Sequence, residues 1–218
     1  MTTLIIGAHG QVGQHIVKQL AATGETVYGG IRNAEQADTI TQLGGQPRTI
    51  DLLGTAEDMV PAMAGVDTVV FSAGSGGSTG DDMTLNIDLD GAVKAMHATE
   101  LADIKRFILI SALGTDDRAF WNQSGIRPYY VAKYYADQWL RHRTDLDYTI
   151  LRPGALTNDA PTGQISLDPA TSDTKKITRR DVAAAVVAVV KHPQPNWSMV
   201  TRLLPRPYVS RLFAYKRV

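Results

Sequence analysis

A short apolar strand that meets three glycines and passes straight into a helix constrains this chain more than any other feature. Leu4-Ile5-Ile6 leads into Gly7-Ala8-His9-Gly10-Gln11-Val12-Gly13, and an apolar helical pattern, Val12, Ile16, Val17 and Leu20, follows at once. Such a turn presents bare backbone N–H groups to a phosphate. Gly7 is expected to turn the strand sharply. Gly10 lets backbone approach a pyrophosphate where a Cβ would collide, and Gly13 lets the helix pack close to the sheet. The ligand class this implies is a dinucleotide, cradled by Gly7, Gly10, Gln11, Val12 and Gly13. His9, inside the turn, is assigned a minor contact at most. The spacing is G-x-x-G-x-x-G rather than G-x-G-x-x-G, and a glycine turn without a ligand is the competing reading.

Strand and helix patterns alternate along the rest of the chain. Strands are expected at Thr26–Ile31, Pro47–Leu52, Thr68–Phe71, Arg106–Ser111 and Asp147–Leu151 after the first at Leu4–Ile6. Helices are expected at Gln11–Thr23, Ala34–Leu43, Ala56–Ala64, Met83–Leu101, Tyr129–Arg141 and Arg180–Val190. Apolar strands alternating with helices predict an α/β chain, a parallel sheet covered on both faces. No linker divides it, so 1–218 is read as one domain, with a substrate loop, late helix and tail over 155–218. Within it, Gly74–Gly80 and Thr157–Thr174 read as loops.

Composition removes whole function classes. The formal net charge is +0, so no overall field attracts nucleic acid or an anionic membrane. The absence of cysteine excludes disulfides, a thiol nucleophile and cysteine-ligated metal, and fits a cytoplasmic protein. The five histidines lack metal-ligand spacing, so no metal site is expected. The apolar run Val182–Val190 is too short to span a bilayer. A strand beginning at Leu4 leaves no room for a signal peptide.

The tip of the second strand selects the dinucleotide. It reads Gly29-Gly30-Ile31-Arg32-Asn33 and carries no acidic residue to accept from a ribose 2′-hydroxyl. Arg32 can pair with a 2′-phosphate, so NADP(H) is expected over NAD(H). Asp51-Leu52 ends the third strand, where Asp51 can accept from the adenine amino group or cap the next helix. Ser72-Ala73-Gly74, small residues after the fourth strand, let a ribose lie against the sheet.

These pieces, with Ser111, Tyr129-Tyr130-Val131-Ala132-Lys133 and Asp147-Tyr148-Thr149-Ile150-Leu151-Arg152-Pro153-Gly154, resemble the atypical branch of the short-chain dehydrogenase/reductase superfamily. That branch includes NmrA-like proteins and relatives of flavin and biliverdin reductases. The resemblance spans most of the chain. It implies a Rossmann-like doubly wound sheet, an NAD(P)H cofactor, and a small C-terminal substrate-side extension. Tyr129 and Lys133, four apart, share a helix face. A nearby ammonium is expected to lower the phenol's pKa. The resemblance implies catalytic roles for Ser111, Tyr129 and Lys133, with Lys133 also holding ribose hydroxyls and Pro153 lying beside the nicotinamide. Tyr130, Tyr134 and Tyr135 crowd the same helix, so the tyrosine–lysine spacing can also arise by chance. Phe120 and Trp121 are expected to wall a substrate pocket or to pack on their own helix. Thr178 and Asp181 read as the cap of the late helix.

The tail from Asn196 departs from the family's usual ending. It is basic and proline-bearing, and can cover an edge strand, meet a second subunit in a homodimer, or lie loose. The expected function is an NADPH-dependent reduction of a small acceptor: a quinone, flavin or conjugated carbonyl. A non-catalytic NADP(H) redox sensor is the alternative. A sugar-nucleotide epimerase or dehydratase is a weaker one, because the chain is short for a large substrate domain.

Overall fold

A computed structural model of the chain describes residues 1–165, 175–193 and 197–201. Seven parallel strands form its main sheet: β1 (Thr2–Ile6), β2 (Thr26–Ile31), β3 (Gln46–Thr49), β4 (Thr68–Phe71), β5 (Arg106–Ile110), β6 (Asp147–Pro153) and β9 (Trp197–Thr201). Their spatial order is β3-β2-β1-β4-β5-β6-β9, and every pairing is parallel. The order reverses between β1 and β4, which opens a crevice at the C-terminal ends of the strands. The expected Rossmann-like doubly wound sheet is therefore present.

The strands form because their apolar residues alternate between two covered faces. Ile5, Ile108, Ile110 and Leu151 pack with α1 (Gln11–Ala21), α2 (Ala37–Gln42) and α8 (Arg179–Lys191) on one face. Leu4, Ile6, Phe71, Phe107 and Ile150 pack on the other with α3 (Ala56–Met59), α5 (Ala92–Leu101) and α7 (Arg127–His142). The central strands β4 and β5 are buried along their whole length.

Several boundaries differ from expectation for local reasons. The third strand stops at Thr49 because Asp51 Oδ1 accepts from Leu53 N at 2.8 Å and turns the chain. The helix read over 56–64 becomes 3₁₀ from Val60, with Pro61 at its start. That over 34–43 opens with a 3₁₀ turn at Ala34–Gln36. The long helix read over 83–101 begins as α4 (Asp81–Met83), widens into π-helical turns over Thr84–Gly91, and continues as α5. A short helix, α6 (Arg118–Gln123), interrupts the segment between β5 and α7. After β6, β7 (Ala155–Thr157) pairs in parallel with β8 (Lys176–Thr178) in a separate ribbon. Residues 166–174 of the expected substrate loop lie outside the described residues.

Of the places expected for the tail, Trp197–Thr201 takes the first: it covers the edge of β6 as a seventh strand, in register with Thr149–Pro153. Residues 202–218 lie outside the described residues. Among the described residues, no helix is long and apolar enough to cross a membrane.

Candidate cofactor and active site

Parallel strands deliver their following loops to one edge, and the expected site residues converge there. Gly7 follows β1, Arg32 follows β2, Ser72 follows β4, Ser111 follows β5, and Pro153 ends β6.

The glycine turn is built by close backbone approach. Gly7 has φ +83°, and a Cβ there would lie 2.6 Å from Ala73 Cα. So Gly7 makes the turn and also lets the β4 loop close against it. A Cβ at Gly13 would lie 2.3 Å from Gly7 O, so the helix packs against the turn itself as well as the sheet. Gly10 differs: a Cβ there would meet only Gly7 O, at 3.2 Å. Gly10 is the N-cap of α1, with no side-chain cap and no acidic residue in the first turn. The first-turn N–H groups of α1 are thus left to an anion. A pyrophosphate fits this cradle, since the fold itself does not require the space at Gly10. Gln11 and His9 are exposed beside it, and Gln14 Nε2 donates to His9 O at 2.7 Å.

Ala8 N donates to Gly30 O at 3.2 Å, which brings the tip of β2 against the turn. Arg32, exposed, stands two residues beyond. Asp51 is exposed and Leu52 half-buried. Asp51 does not cap the next helix. That helix is capped by Thr55, which exchanges bonds with Asp58 in a capping box. Ser72 N donates to Ile6 O at 2.9 Å, and Ser72 Oγ is buried without a partner. Pro153 is buried, and its carbonyl accepts from Leu113 N at 2.8 Å.

Tyr129, Lys133 and Asp137 stand at i, i+4 and i+8 on α7, one face of that helix. Lys133 is buried; its Nζ donates to Ile110 O at 3.0 Å and pairs with Asp88 Oδ1 at 3.4 Å. Asp88, on the π-helical stretch, also accepts from Ser75 N at 2.9 Å through Oδ2. Its carboxylate fills the space beside Gly74, where a Cβ would lie 3.0 Å from Oδ1. One buried carboxylate therefore fastens both Lys133 and the β4 loop.

Behind Lys133, Asp137 accepts from Arg152 Nε at 2.9 Å, and Arg152 also pairs with Asp116. Thr115 Oγ1 donates to Asp137 at 3.4 Å. Among the described residues, Ser111 Oγ and Asp137 Oδ1 are both buried without a hydrogen-bond partner. The Ser111 hydroxyl lies near that carboxyl, outside hydrogen-bonding geometry. Burial raises the Asp137 pKa, with Arg152 and then Ser111 acting against it.

The electrostatics correct one expectation. The Tyr129 ring centroid lies 5.8 Å from Lys133 Nζ. Burial raises the phenol's pKa, Lys133 lowers it, and Asp88 and Asp137 raise it further, so the net shift is upward. Lys133 pulls the phenol's pKa down as expected, but burial outweighs it and the neighbour stays a phenol. Burial works against the Lys133 charge, but Tyr129, Asp88 and Asp137 outweigh it and raise its pKa. Trp121 and Phe120, on α6, find their aromatic partners not on their own helix but in tyrosines of the next one, α7. Trp121 is buried edge-on against Tyr134, Phe120 lies edge-on to Tyr130, and Trp121 Nε1 donates to Gly114 O. Thr178 and Asp181 cap α8 as expected, and Asp181 also accepts from Thr162 N and Gly163 N.

Asp88, Asp137 and Arg152 are the site residues that sequence reasoning did not single out. Asp137 was visible as the next step of the Tyr129–Lys133 spacing. Asp88 was not, because π-helical turns change the phase of the helix that carries it.

The sequence profile of a family described as NAD(P)H-binding matches residues 7–193. A Bacillus subtilis protein named an uncharacterized sugar epimerase, YhfK, is 43% identical over 191 residues, covering 86% of this chain and 87% of that one. A solved structure from Bacillus halodurans, named provisionally as an NAD-dependent epimerase/dehydratase, superposes with a TM-score of 0.86 at 36% identity. It covers 95% of this chain and 96% of its own. The oxidoreductase YlbE of Lactococcus lactis superposes with a TM-score of 0.84 at 33% identity, over 94% of this chain and 91% of its own.

Proposed function

The chain belongs to the NAD(P)H-binding family, and from that premise we propose that it is an NADPH-dependent oxidoreductase passing hydride to a small planar acceptor, a quinone, flavin or conjugated carbonyl. The cofactor's contribution when bound is the hydride. The observation that carries the reading is Lys133: a buried ammonium, fixed by Asp88 and Ile110 O, one helical turn from Tyr129 at the edge where the glycine turn lies.

An ammonium has three donors, and two partners leave one for the ribose hydroxyls of the cofactor. Tyr129, with its raised pKa, keeps its proton at neutral pH. That is the form a reduction needs, because the acceptor oxygen gains a proton as hydride arrives. Ser111 orients that oxygen. Arg32, with no carboxylate at the β2 tip, favours the 2′-phosphate of NADPH. The cysteine-free chain fits a reducing cytoplasm, with a homodimer as the assembly left open.

The test is NADPH consumption across a panel of quinones, flavins and enones. Turnover is expected with at least one class. Tyr129→Phe should slow it by about 10²–10⁴-fold while NADPH affinity stays unchanged. The second reading, a non-catalytic NADP(H) sensor, draws on the same phenol, which burial leaves no more ionised than free tyrosine. Tight NADPH binding with no turnover anywhere on the panel selects it.

A further inference from the structure

A second polar concavity, of about 200 Å³, is lined by His15 of α1, Thr157, Asn158 and Asp159 at and after the end of β7, and Arg179 and Arg180 at the start of α8. Gln19 Nε2 bonds Arg180 O at 3.2 Å and ties the two helices together there. Arg179 Nη1 donates to Asn158 Oδ1 at 2.9 Å, and among the described residues neither guanidinium pairs with a carboxylate. Among the described residues, the buried Thr157 Oγ1 has no hydrogen-bond partner. Lys18 lies one turn nearer the C-terminus of α1, and among the described residues Asp159 is the carboxylate that lines the cleft. The wall is thus polar, cationic in balance, and short of an acceptor. Burial, then Arg180, Lys18 and Arg179, hold the His15 pKa below its usual value, so the imidazole adds no charge at neutrality.

The place matters as much as the chemistry. Thr157 stands four residues beyond Pro153, about 13 Å of extended chain. His15 lies one turn, about 6 Å, along α1 from Gln11, and so below the N–H groups that cradle a pyrophosphate. Along the chain, the cleft thus lies within about 13 Å of the end of β6 and about one helical turn from the N–H groups at the start of α1.

We propose that this cleft is an anion subsite for the acceptor: it takes a carboxylate or phosphate group carried by the molecule that receives the hydride. Arg179 and Arg180 donate to its oxygens. The proposal rests on the reductase reading only for whose anion it is.

The experiment follows the His15 ring by NMR in the full-length chain, assigned among five histidines with His15→Gln. Inorganic phosphate is titrated in, first without cofactor and then with saturating NADP⁺. A saturable shift is expected in both arms, together with a rise in the His15 pKa, since a bound anion favours the imidazolium. Arg179→Gln and Arg180→Gln should each weaken phosphate binding by about tenfold, with circular dichroism and melting temperature checking that each variant folds. Phosphate should compete with carboxylate-bearing acceptors and spare an uncharged quinone. A His15 signal that ignores phosphate, or responds equally in both arginine variants, overturns the subsite. A response abolished by NADP⁺ overturns its assignment to the acceptor and gives the cleft to the cofactor's pyrophosphate. The His15 shift needs no turnover, so a failed acceptor panel strikes the reductase reading separately.

Discussion

Asp137 has no exposed surface, and its carboxylate is compensated chiefly by the guanidinium of Arg152. Removing Asp137 leaves Arg152 with the exposed Asp116 as its carboxylate among the described residues, a screened and weaker partner. Asp137→Ala should therefore cost about 3–5 kcal/mol of stability, read as a lowered urea midpoint. Replacing Asp137 and Arg152 together by leucine and methionine should recover part of that loss. Tyr129 and Lys133 set a pH dependence of definite sign. Both hold their protons more tightly folded than unfolded, since both pKa values are raised. Above about pH 10, where the unfolded groups begin to lose protons, the folded state binds more of them, so stability falls as pH rises. The contribution is fully present below that range. Tyr129→Phe should flatten the decline between about pH 10 and 11, seen as a smaller shift in urea midpoint than the parent's. At this scale the sequence exposed the pair Tyr129 and Lys133 by simple spacing, while Asp137, the next step of that spacing, was not singled out. The sequence hid Arg152, which reads as one more strand residue before a proline until the fold brings α7 alongside β6.

The glycine turn separates folding from binding one position at a time. Gly13→Ala forces a Cβ to within 2.3 Å of Gly7 O, so it should cost at least about 1–3 kcal/mol and abolish cofactor binding with it. Gly10→Ala meets a single atom at 3.2 Å and keeps an extended φ of −65°. It should melt near the parent temperature yet bind NADPH much more weakly, measured by calorimetry. The central strands were legible because burial on both faces leaves an unbroken apolar run, as in Thr68–Phe71 and Arg106–Ile110. The edges were not. Gln46–Thr49 is mostly exposed and carries no apolar signal, so its bounds came out wrong. Periodicity also cannot report π-helical turns, because the count of residues per turn is what it assumes.

For the molecule as a whole, the strand Trp197–Thr201 finishes a sheet that the first six strands leave open at β6. A chain ending at Pro193 should unfold at lower temperature and self-associate at moderate concentration, because the bare β6 edge then offers unpaired backbone groups. Light scattering and thermal melts against a chain ending at Thr201 check this. The global topology was readable early, since alternating strand and helix patterns permit few arrangements. What was not readable is how its two halves are joined. Asp88 sits in the crossover from β4 to β5, with one oxygen on the Ser75 amide and the other on the Lys133 ammonium. The loop after β4 and the Tyr129–Lys133 face of α7 thus hang from a common rivet. A ligand that shifts that loop is thus expected to move the Lys133 ammonium with it, and a change at the ammonium to alter the ligand's affinity to the same degree.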